Sequence, residues 1–534
     1  MRVALIIFLV VGNFGLVGYG QLYFPNETYY NNEIDRFFLK DSANKTFYSS
    51  HLSMKPILGN RTNLDSIYYK DKKNYYWITH KIFSDNFLVF EGEDFWVAVD
   101  PVLDLEGGTD FSADSLDLLY WNTRGARVQG KFFDKVGFST VIYENQAMVP
   151  TYVAEYIDRH GVLRPSGGSY VQENAVMPGY GRTKPFKTTG YDFAFGEGQV
   201  SIVPNEYFNI HFGNGNHFIG NGYRSLLLSD FAPNYPFAKF EGNFWKGRIQ
   251  YNAIYAIHQN LYRLPAFETV ESTFERKIGT YHYLDFAITP KIHLGLFEGA
   301  HWKRSDSLGT VEPNWLFLNP VIGVNAAALS GNDSSYNHIL GANFSWTFWR
   351  NRLYGQVVID NGGLGGFQLG IKSMGQFVPK LDIQIEYNTA FQDTYFADNK
   401  RYNYSHNNIS LSHPLSSFFS EIILKLNYEY KEFFISNSTV NYSATSNYYY
   451  DTSAPFGQAS SIIHDSKGKF LGLADSRRAL INQFEFGYRF NKRYNLQAVI
   501  GWTFRNAYGD GPDTHTNYIY AGIRTRLRNK TLDF

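Results

Sequence analysis

The sequence predicts an all-β protein, a transmembrane antiparallel β-barrel with a polar interior. Apolar and polar residues alternate over segments of about ten residues, which is long for a soluble strand and suits a tilted membrane strand. Short breaks alternate with long polar ones, and the chain opens with an export-type segment. A large soluble β-sandwich or propeller is the alternative, but no blade-length repeat supports a propeller.

The clearest alternation lies near the C-terminus. Aromatic residues occupy every second position from Phe484 to Phe490, and the pattern resumes from Tyr494 to Phe504 after a break at 491–493. Successive strand side chains point to opposite faces, so one face of this hairpin is apolar and the other is polar, charged or glycine. The same alternation recurs at 340–348, 353–359, 381–387, 422–430 and 519–527.

The breaks between these segments differ in length. The tight break at 491–493 is followed by a loop from Asn506 to His515, and the tight break at 431–432 by a polar tract from Ser443 to Ser476. Short turns on one side and long loops on the other are typical of outer-membrane barrels. The last residue, Phe534, is a terminal aromatic of the kind common in proteins inserted by the outer-membrane assembly machinery.

The first twenty residues predict a cleaved signal peptide, residues 1–20. Arg2 precedes an apolar run from Val3 to Val11, and Gly18 and Gly20 lie ahead of Gln21. The alternative is a buried N-terminal strand or helix. Later apolar runs are too short for a membrane-spanning helix, so we expect export to the cell outer membrane, with a pre-barrel region over 21–94 and the barrel over 95–534.

Composition excludes several functions. Lys+Arg and Asp+Glu number 49 each, so no strong net charge favours nucleic acid as a partner. The chain has no cysteine, which removes disulfides, thiolate metal sites and thiol catalysis. Neither of the close histidine spacings, 211/217 and 406/413, matches a zinc or iron site. We therefore expect no metal, no cofactor and no catalytic residues, hence no enzyme.

The segment from His211 to Asp230 is rich in glycine and carries the candidate ligand-binding residues. His217, Tyr223, Arg224 and Asp230 are able to present donors and acceptors to a sugar or to a partner loop. The alternative is a glycine-rich plug or loop near 211–240 that folds into the lumen, the interior of the barrel, where Arg224 and Asp230 satisfy other polar groups. A lone Gly-x-Gly without a βαβ frame does not indicate a dinucleotide site.

A second candidate set consists of charges on the predicted polar face of the C-terminal strands. Such charges either brace the barrel wall in pairs or line a passage with a weak ion preference. The set is Glu485, Arg489, Arg505, Arg524 and Arg526.

Two stretches carry a family resemblance. The stretch 212–230, with Pro236-Phe237 after it, resembles the Wzi-type capsule assembly family, in which a glycine-rich segment leads into Ser-Leu-Leu-Leu-Ser. A nearer likeness is to a branch from gliding Bacteroidetes, labelled gliding motility protein RemB, which the block 402–408 and His413-Pro414 also resemble. The resemblance implies an outer-membrane barrel of about 18 strands, with 16 as the alternative, and no enzymatic activity.

The resemblance leaves the function open between two roles. The chain either binds and organises surface polysaccharide, as in capsule assembly, or is an accessory of the gliding motility or secretion machinery. A porin-like channel for small solutes is the alternative, and a barrel enzyme that processes surface carbohydrate is a third hypothesis. The expected partners are outer-membrane lipid, surface polysaccharide and proteins of the gliding or secretion machinery.

Overall fold

The structure is a computed structural model of the chain. It describes residues 23–40, 46–47, 50–57, 76–114, 116–133, 135–160, 163–166, 169–172, 175–263, 274–306, 309–310, 312, 314–328, 336–360, 363–397, 399–445, 476–509 and 512–534. The expected signal peptide and most of the polar tract from Ser443 to Ser476 lie outside the described residues.

Eighteen antiparallel strands form a closed barrel, which confirms the fold class and the expected strand number. The second half of the first strand pairs with the last strand, from Asp104 opposite Arg524 to Asp110 opposite Tyr518, and this pairing closes the barrel. The strands are β1 Phe95–Asp110, β2 Leu119–Phe132, β3 Val136–Met148, β4 Gly190–Ile202, β5 Phe208–Gly215, β6 Tyr235–Phe244, β7 Ile249–Arg263, β8 Phe274–Thr289, β9 Ile292–Lys303, β10 Tyr336–Phe348, β11 Asn351–Asp360, β12 Gly363–Met374, β13 Leu381–Ala390, β14 Phe419–Tyr430, β15 Phe433–Thr445, β16 Ser476–Asn491, β17 Leu496–Gly509 and β18 Thr514–Thr525.

Apolar side chains point outward and polar ones point into the lumen. On β10, Phe344 and Trp346 are exposed on the outside, whereas the intervening Ser345 is buried inside. The same arrangement is found on β13, where the polar Glu386 is fully buried inside, and on β17, where the apolar Ile500 is 58% exposed on the outside. This arrangement is the reverse of a soluble protein, and it follows from lipid surrounding the wall.

The two ends of the barrel differ. Eight turns of two to six residues, such as 349–350 and 492–495, connect strands at one end, and every connection longer than six residues lies at the other. In an outer-membrane barrel the short-turn end faces the periplasm. The expected loop from Asn506 to His515 is shorter than predicted, because β17 continues to Gly509 and β18 begins at Thr514.

In the part of the chain that the structure describes, four α-helices accompany the barrel: α1 Thr28–Lys40, α2 Trp77–Phe83, α3 Thr151–Arg159 and α4 Val324–Ala328. The same residues contain two 3-10 turns, Trp315–Leu318 and Lys400–Tyr402. Among the described residues, each helix is too short or too polar to span a membrane. Short strands outside the barrel ladder form four two-stranded sheets: Met54–Lys55 with Phe218–Ile219, Val176–Met177 with Gly181–Arg182, Ser305–Asp306 with Gly309–Thr310, and Ser405–His406 with Ile409–Ser410. Four more lie against barrel strands or each other: Leu88–Glu91, Leu163–Ser166, Ser169–Gln172 and Lys184–Phe186.

The chain after β18 turns back into the lumen. The expected outward position of Leu527 is wrong, since β18 ends at Thr525 and Leu527 packs against buried residues inside. Phe534 is 5% exposed, and its ring lies 4.0 Å from that of Tyr156, centroid to centroid. Phe534 is therefore a core residue of the lumen and is not the end of a membrane strand. Residues 526–534 are called the tail below.

One loop lies on the outside of the wall. Residues 314–328, called the outer loop, accept hydrogen bonds from Tyr251 and Tyr255 at the carbonyls of Pro320 and Leu318. The outer loop also covers Glu298, whose carboxylate accepts the backbone N–H groups of Gly323 and Ala326. A buried carboxylate on the outward side of a barrel needs hydrogen-bond partners, and the outer loop adds these two donors to His282 and His338 of the wall.

Candidate functional site

Parts of five segments occupy the lumen. They are the N-terminal segment (28–40 with 50–57), the loop 149–189, the plug (216–234), the loop 391–418, and the tail. The glycine-rich region divides differently from expectation: residues 208–215 belong to β5 and 235–244 to β6, so only 216–234 leave the wall.

Glycine is required where the plug approaches the wall. Gly220 has a φ of 135°, a backbone conformation that other residues rarely adopt. A Cβ on Gly222 would lie 2.7 Å from the carboxylate of Glu386. The plug backbone thus packs in van der Waals contact with the lumenal side of β13.

Polar side chains of the wall satisfy the backbone of the plug. Glu386 accepts the N–H groups of Tyr223 and Arg224 at 2.7 and 3.0 Å. The amide of Gln356 accepts the N–H of Leu226 at 2.8 Å and donates to the carbonyl of Ile219 at 2.8 Å. Buried backbone groups need such partners, which explains why these lumenal positions of β11 and β13 are polar.

The apolar centre of the plug packs against the long-loop end. Leu226, Leu227 and Leu228 are fully buried, and the hydroxyls of Tyr395 and Tyr404 donate to the carbonyls of Leu226 and Leu227. This cluster lies inside the barrel, where a soluble protein would have its core. The plug and the loop 391–418 therefore fold as one packed unit.

Two of the candidate ligand-binding residues form a charged cluster with the tail. Arg224 lies 3.3 Å from Glu421 and 3.1 Å from Asp533, and the hydroxyl of Tyr223 donates to Asp533 at 2.9 Å. Burial alone would lower the pKa of Arg224, but these carboxylates hold it above its usual value. His413 completes the cluster, 2.7 Å from Glu421.

The other two candidates lie apart from that cluster. His217 stacks edge-on against Phe237 at 4.5 Å, and burial together with Lys239 lowers its pKa well below the usual value. Asp230 accepts from Asn26 of the N-terminal segment at 3.0 Å. All four candidates thus contact other parts of the chain, and their ligand-binding role stays a prediction.

The five candidate charges of the C-terminal strands lie in the lumen. Arg524 bridges Glu485 at 2.8 Å and Glu106 at 2.6 Å, and Arg526, just past β18, also reaches Glu485. Arg489 stacks on Tyr29 of α1 at 3.6 Å, whereas Arg505 donates to Thr514 at 3.0 Å. Arg505 also lies over the ring of Tyr152 on α3, 4.8 Å from its centroid, so all five take part in ion pairs or ring stacking inside the lumen.

Helix α1 is held against the wall by ion pairs. Asp35 contacts Arg352 at 2.5 Å and Lys372 at 3.4 Å, and Arg36 pairs with Asp382. Burial by itself would raise the pKa of Asp35, but the two cations hold it at about 2. Helix α1 therefore binds the wall through ionised side chains that meet opposite charges on the lumenal face.

A cavity of about 160 Å³ remains between these segments. It lies between α1, the start of α3, the tail, and the lumenal side of β14–β18. A cavity of this volume holds on the order of ten water molecules. Its lining combines aromatic rings with amide, hydroxyl and charged groups: Trp121, Tyr152, Tyr223, Tyr518, Tyr520, Asn427, Gln483, Gln497, Thr503, Lys425, Glu429, Glu485, Arg489, Arg524, Arg526 and Lys530.

Sequence reasoning did not find the cavity. Its residues come from the N-terminal segment, eight strands, the loop 149–189, the plug and the tail, and no sequence pattern joins them. The period-two pattern did identify Glu485, Arg489 and Arg524 as lumenal, but the pattern does not say which lumenal residues surround a space.

One cluster of possible metal ligands lies elsewhere in the lumen. His51, Asp285 and His293 are all buried, and one potential ligand atom of each lies within 4.8 Å of the others. Sequence spacing could not reveal this set, since 234 positions separate His51 from Asp285 along the chain. A long-range constellation of this kind exists only after the barrel has closed.

Comparison with known proteins bears on the fold. No family model matches the chain, and no curated protein matches it. Among solved structures, Wzi of Escherichia coli, described as an outer-membrane protein involved in group 1 capsule assembly and a carbohydrate-binding β-barrel, is 12% identical with a TM-score of 0.52; the match covers 94% of this chain and 98% of that one.

Two porin-type barrels are less similar. OccAB4 of Acinetobacter baumannii is 9% identical with a TM-score of 0.41, covering 81% of this chain and 98% of its own. OprD of Pseudomonas aeruginosa is 9% identical with a TM-score of 0.38, covering 80% of this chain and 94% of its own. The chain is a closed transmembrane β-barrel, and among these structures the fold of Wzi is the one it shares over nearly its whole length.

Proposed function

We propose that this barrel binds and organises carbohydrate at the cell surface and catalyses no reaction on it. The observation that carries the proposal is the cavity of about 160 Å³ in a lumen otherwise occupied by the chain's own segments. Aromatic faces suit the apolar side of a sugar ring, and neighbouring amides and charges suit its hydroxyl groups. The carbohydrate binding described for Wzi, a barrel of similar fold, agrees with this chemistry.

The filled lumen favours a scaffold over a porin-like channel. The plug is hydrogen-bonded to the wall on β11 and β13, α1 is ion-paired with the same two strands, and the tail is ion-paired with β1 through Lys530 and Glu106. An open channel needs a continuous water-filled path through the barrel, and the plug, α1 and the tail all lie in that path. We also propose that the signal peptide at 1–20 is cleaved on export and that lipid contacts the exposed outer face of the wall.

Glycan binding by the purified protein tests the proposal. Tyr518 lines the cavity, so Tyr518→Ala should weaken binding of a surface polysaccharide on a glycan array by about tenfold, in line with about 1–1.5 kcal/mol for one aromatic contact. Tyr508→Ala is the matched control, because Tyr508 is exposed on the outer wall of β17. Equal binding by both variants would place the sugar elsewhere, and the absence of any binding by the wild type would count against the role.

The accessory role in gliding or secretion is the second candidate, and it rests on the likeness of 402–408 to the motility-labelled branch. A deletion strain scored for both capsule retention and gliding separates the two roles. Loss of gliding with normal capsule, and recovery of secretion components with the barrel, would favour the machinery. A stable open pore in planar bilayers would favour the channel over both.

A further inference from the structure

Three side chains from distant parts of the chain meet at the short-turn half of the lumen. His51 belongs to the N-terminal segment, Asp285 to β8 and His293 to β9. The Nδ1 atom of His51 lies 3.0 Å from Oδ2 of Asp285, and the Nδ1 atom of His293 lies 3.2 Å from Oδ1. Ligand atoms that are each about 2.1 Å from one metal ion lie roughly 3.0–3.4 Å apart, so this spacing suits a shared ion.

The hydrogen bonding of His51 also points to a cation. Its Nε2 atom lies 2.8 Å from the carbonyl oxygen of Gly247, which only accepts, so Nε2 carries the proton. In a neutral ring Nδ1 then presents its lone pair to the carboxylate of Asp285. Two electron-rich atoms at 3.0 Å require either a second proton on the ring or a metal ion between them.

The surroundings resemble those of a metal-binding histidine and carboxylate. A backbone carbonyl on the far ring nitrogen is the usual outer partner of a ligating histidine. The hydroxyl of Ser53 donates to Asp285 at 2.9 Å, and the hydroxyl of Tyr283 donates to Ser53 at 2.9 Å, which orients the carboxylate. A cavity of about 10 Å³ adjoins Asp285 and His293, enough for about one water molecule as a further ligand.

We propose that His51, Asp285 and His293 bind one divalent transition-metal ion. Two imidazoles and one carboxylate are a donor set that zinc and related ions accept, with water completing the shell. Arg352 also borders the adjoining cavity, where its guanidinium is ion-paired with Asp35. The ion would cross-link residues 50–57 to β8 and β9 and so fix the N-terminal segment inside the barrel.

Zinc binding by the full chain in detergent tests the site. After chelator treatment and reloading, the wild type should retain about one Zn²⁺ per chain against a weak competing chelator. Asp285→Asn and His293→Gln should each lose that ion, with at least a tenfold weaker affinity. Cobalt reloading should add visible absorption bands that both variants lack.

His301→Gln is the matched control. His301 lies on the same strand and the same lumenal face as His293 and is also fully buried, but its partners are Tyr281 and the carbonyl of Asn403. This variant should keep the ion. Retained heat-modifiable migration in gels shows that each variant is a folded barrel.

A second readout follows the N-terminal segment. Removing the metal should speed proteolysis within residues 50–57 in the wild type and leave the rate unchanged in His293→Gln. A wild type that binds neither Zn²⁺ nor Co²⁺ overturns the proposal and assigns His51 as a protonated partner of Asp285. Equal zinc retention by wild type, Asp285→Asn and His293→Gln overturns it as well.

Discussion

His406 connects the loop 391–418 to the plug and to the wall through both ring nitrogens. Its Nδ1 accepts the N–H of Gln259 at 3.1 Å, and its Nε2–H donates to the carbonyl of Asn234 at 3.2 Å. Only the neutral ring makes both bonds. Burial, together with Lys277, accordingly lowers the pKa of His406 to about 3.

This linkage predicts an acid-sensitive loop. The released ring takes up a proton near pH 6.5, whereas the docked ring resists it until about pH 3, so docking weakens as the pH falls through this range. The free energy of loop opening, measured by hydrogen exchange, should fall by up to about 1.4 kcal/mol per pH unit from this group. His406→Gln should flatten the slope, and His515→Gln, at an exposed position, should not. Identical slopes in wild type and His406→Gln would refute the linkage.

Arg224 holds the plug in place inside the lumen. It is 3% exposed and pairs with Glu421 and Asp533, so its removal leaves buried carboxylates short of a positive partner. Breaking such a pair costs about 3 kcal/mol. Arg224→Met should therefore raise the exchange rate of plug amides by about a hundredfold. Lys246→Met, at an exposed turn, serves as the control, and an unchanged plug in Arg224→Met would contradict the assignment.

At the scale of elements, the tail leaves the barrel wall after β18, although its terminal aromatic residue is typical of a membrane strand end. Phe534 packs against Tyr156 and Phe231 inside the barrel, and Asp533 binds Tyr223 and Arg224. The tail therefore joins the loop 149–189 to the plug. We expect assembly into the membrane to depend on β18, whose Ile519 and Ile523 are exposed on the outer face, rather than on the tail.

A substitution separates these two roles. Phe534→Ala should leave the amount of folded barrel in the membrane unchanged but loosen the tail by about 3 kcal/mol, the cost of deleting a buried ring. Because the chain has no cysteine, a single Thr531→Cys probe can report the tail by its rate of thiol labelling. Labelling should be about a hundredfold faster with Phe534→Ala and unchanged with Phe133→Ala, whose ring is exposed. Loss of membrane insertion in Phe534→Ala would instead make the residue an assembly signal.

For the whole molecule, the barrel encloses a second, soluble-like core. The outer face carries apolar side chains toward lipid, while the lumen holds both a polar wall and the apolar cluster around Leu226–Leu228. The plug also pairs with residues 54–55, so its removal should release part of the N-terminal segment as well. Closure of the lumen is thus a property of several segments that fold together.

Replacing residues 216–234 with a short Gly-Ser linker should open the barrel. The wild type should show no stable conductance in planar bilayers, whereas the plug-deleted barrel should conduct. The wall keeps its ladder of backbone hydrogen bonds and should still insert. A plug-deleted barrel that inserts but stays closed would show that α1 and the tail suffice to block the lumen.

The sequence by itself determined the wall. Period-two alternation is a local property, imposed on each strand separately by lipid on one side and a polar lumen on the other, so 340–348, 381–387 and 422–430 could be placed without knowing their neighbours. The same reasoning found Glu485, Arg489 and Arg524 on the lumenal face. It failed after Thr525, where the alternation continues by coincidence while the chain leaves the sheet.

Only the tertiary structure decided what fills the lumen. The partners of Arg224, the cavity lined by Tyr518, and the cluster of His51 with Asp285 and His293 each join residues more than a hundred positions apart. No local pattern encodes such contacts, because they depend on which strands the closed barrel brings opposite each other and on which segments fold inside it. The outer face follows from the solvent that each strand meets, and the interior follows from the closure of the ring.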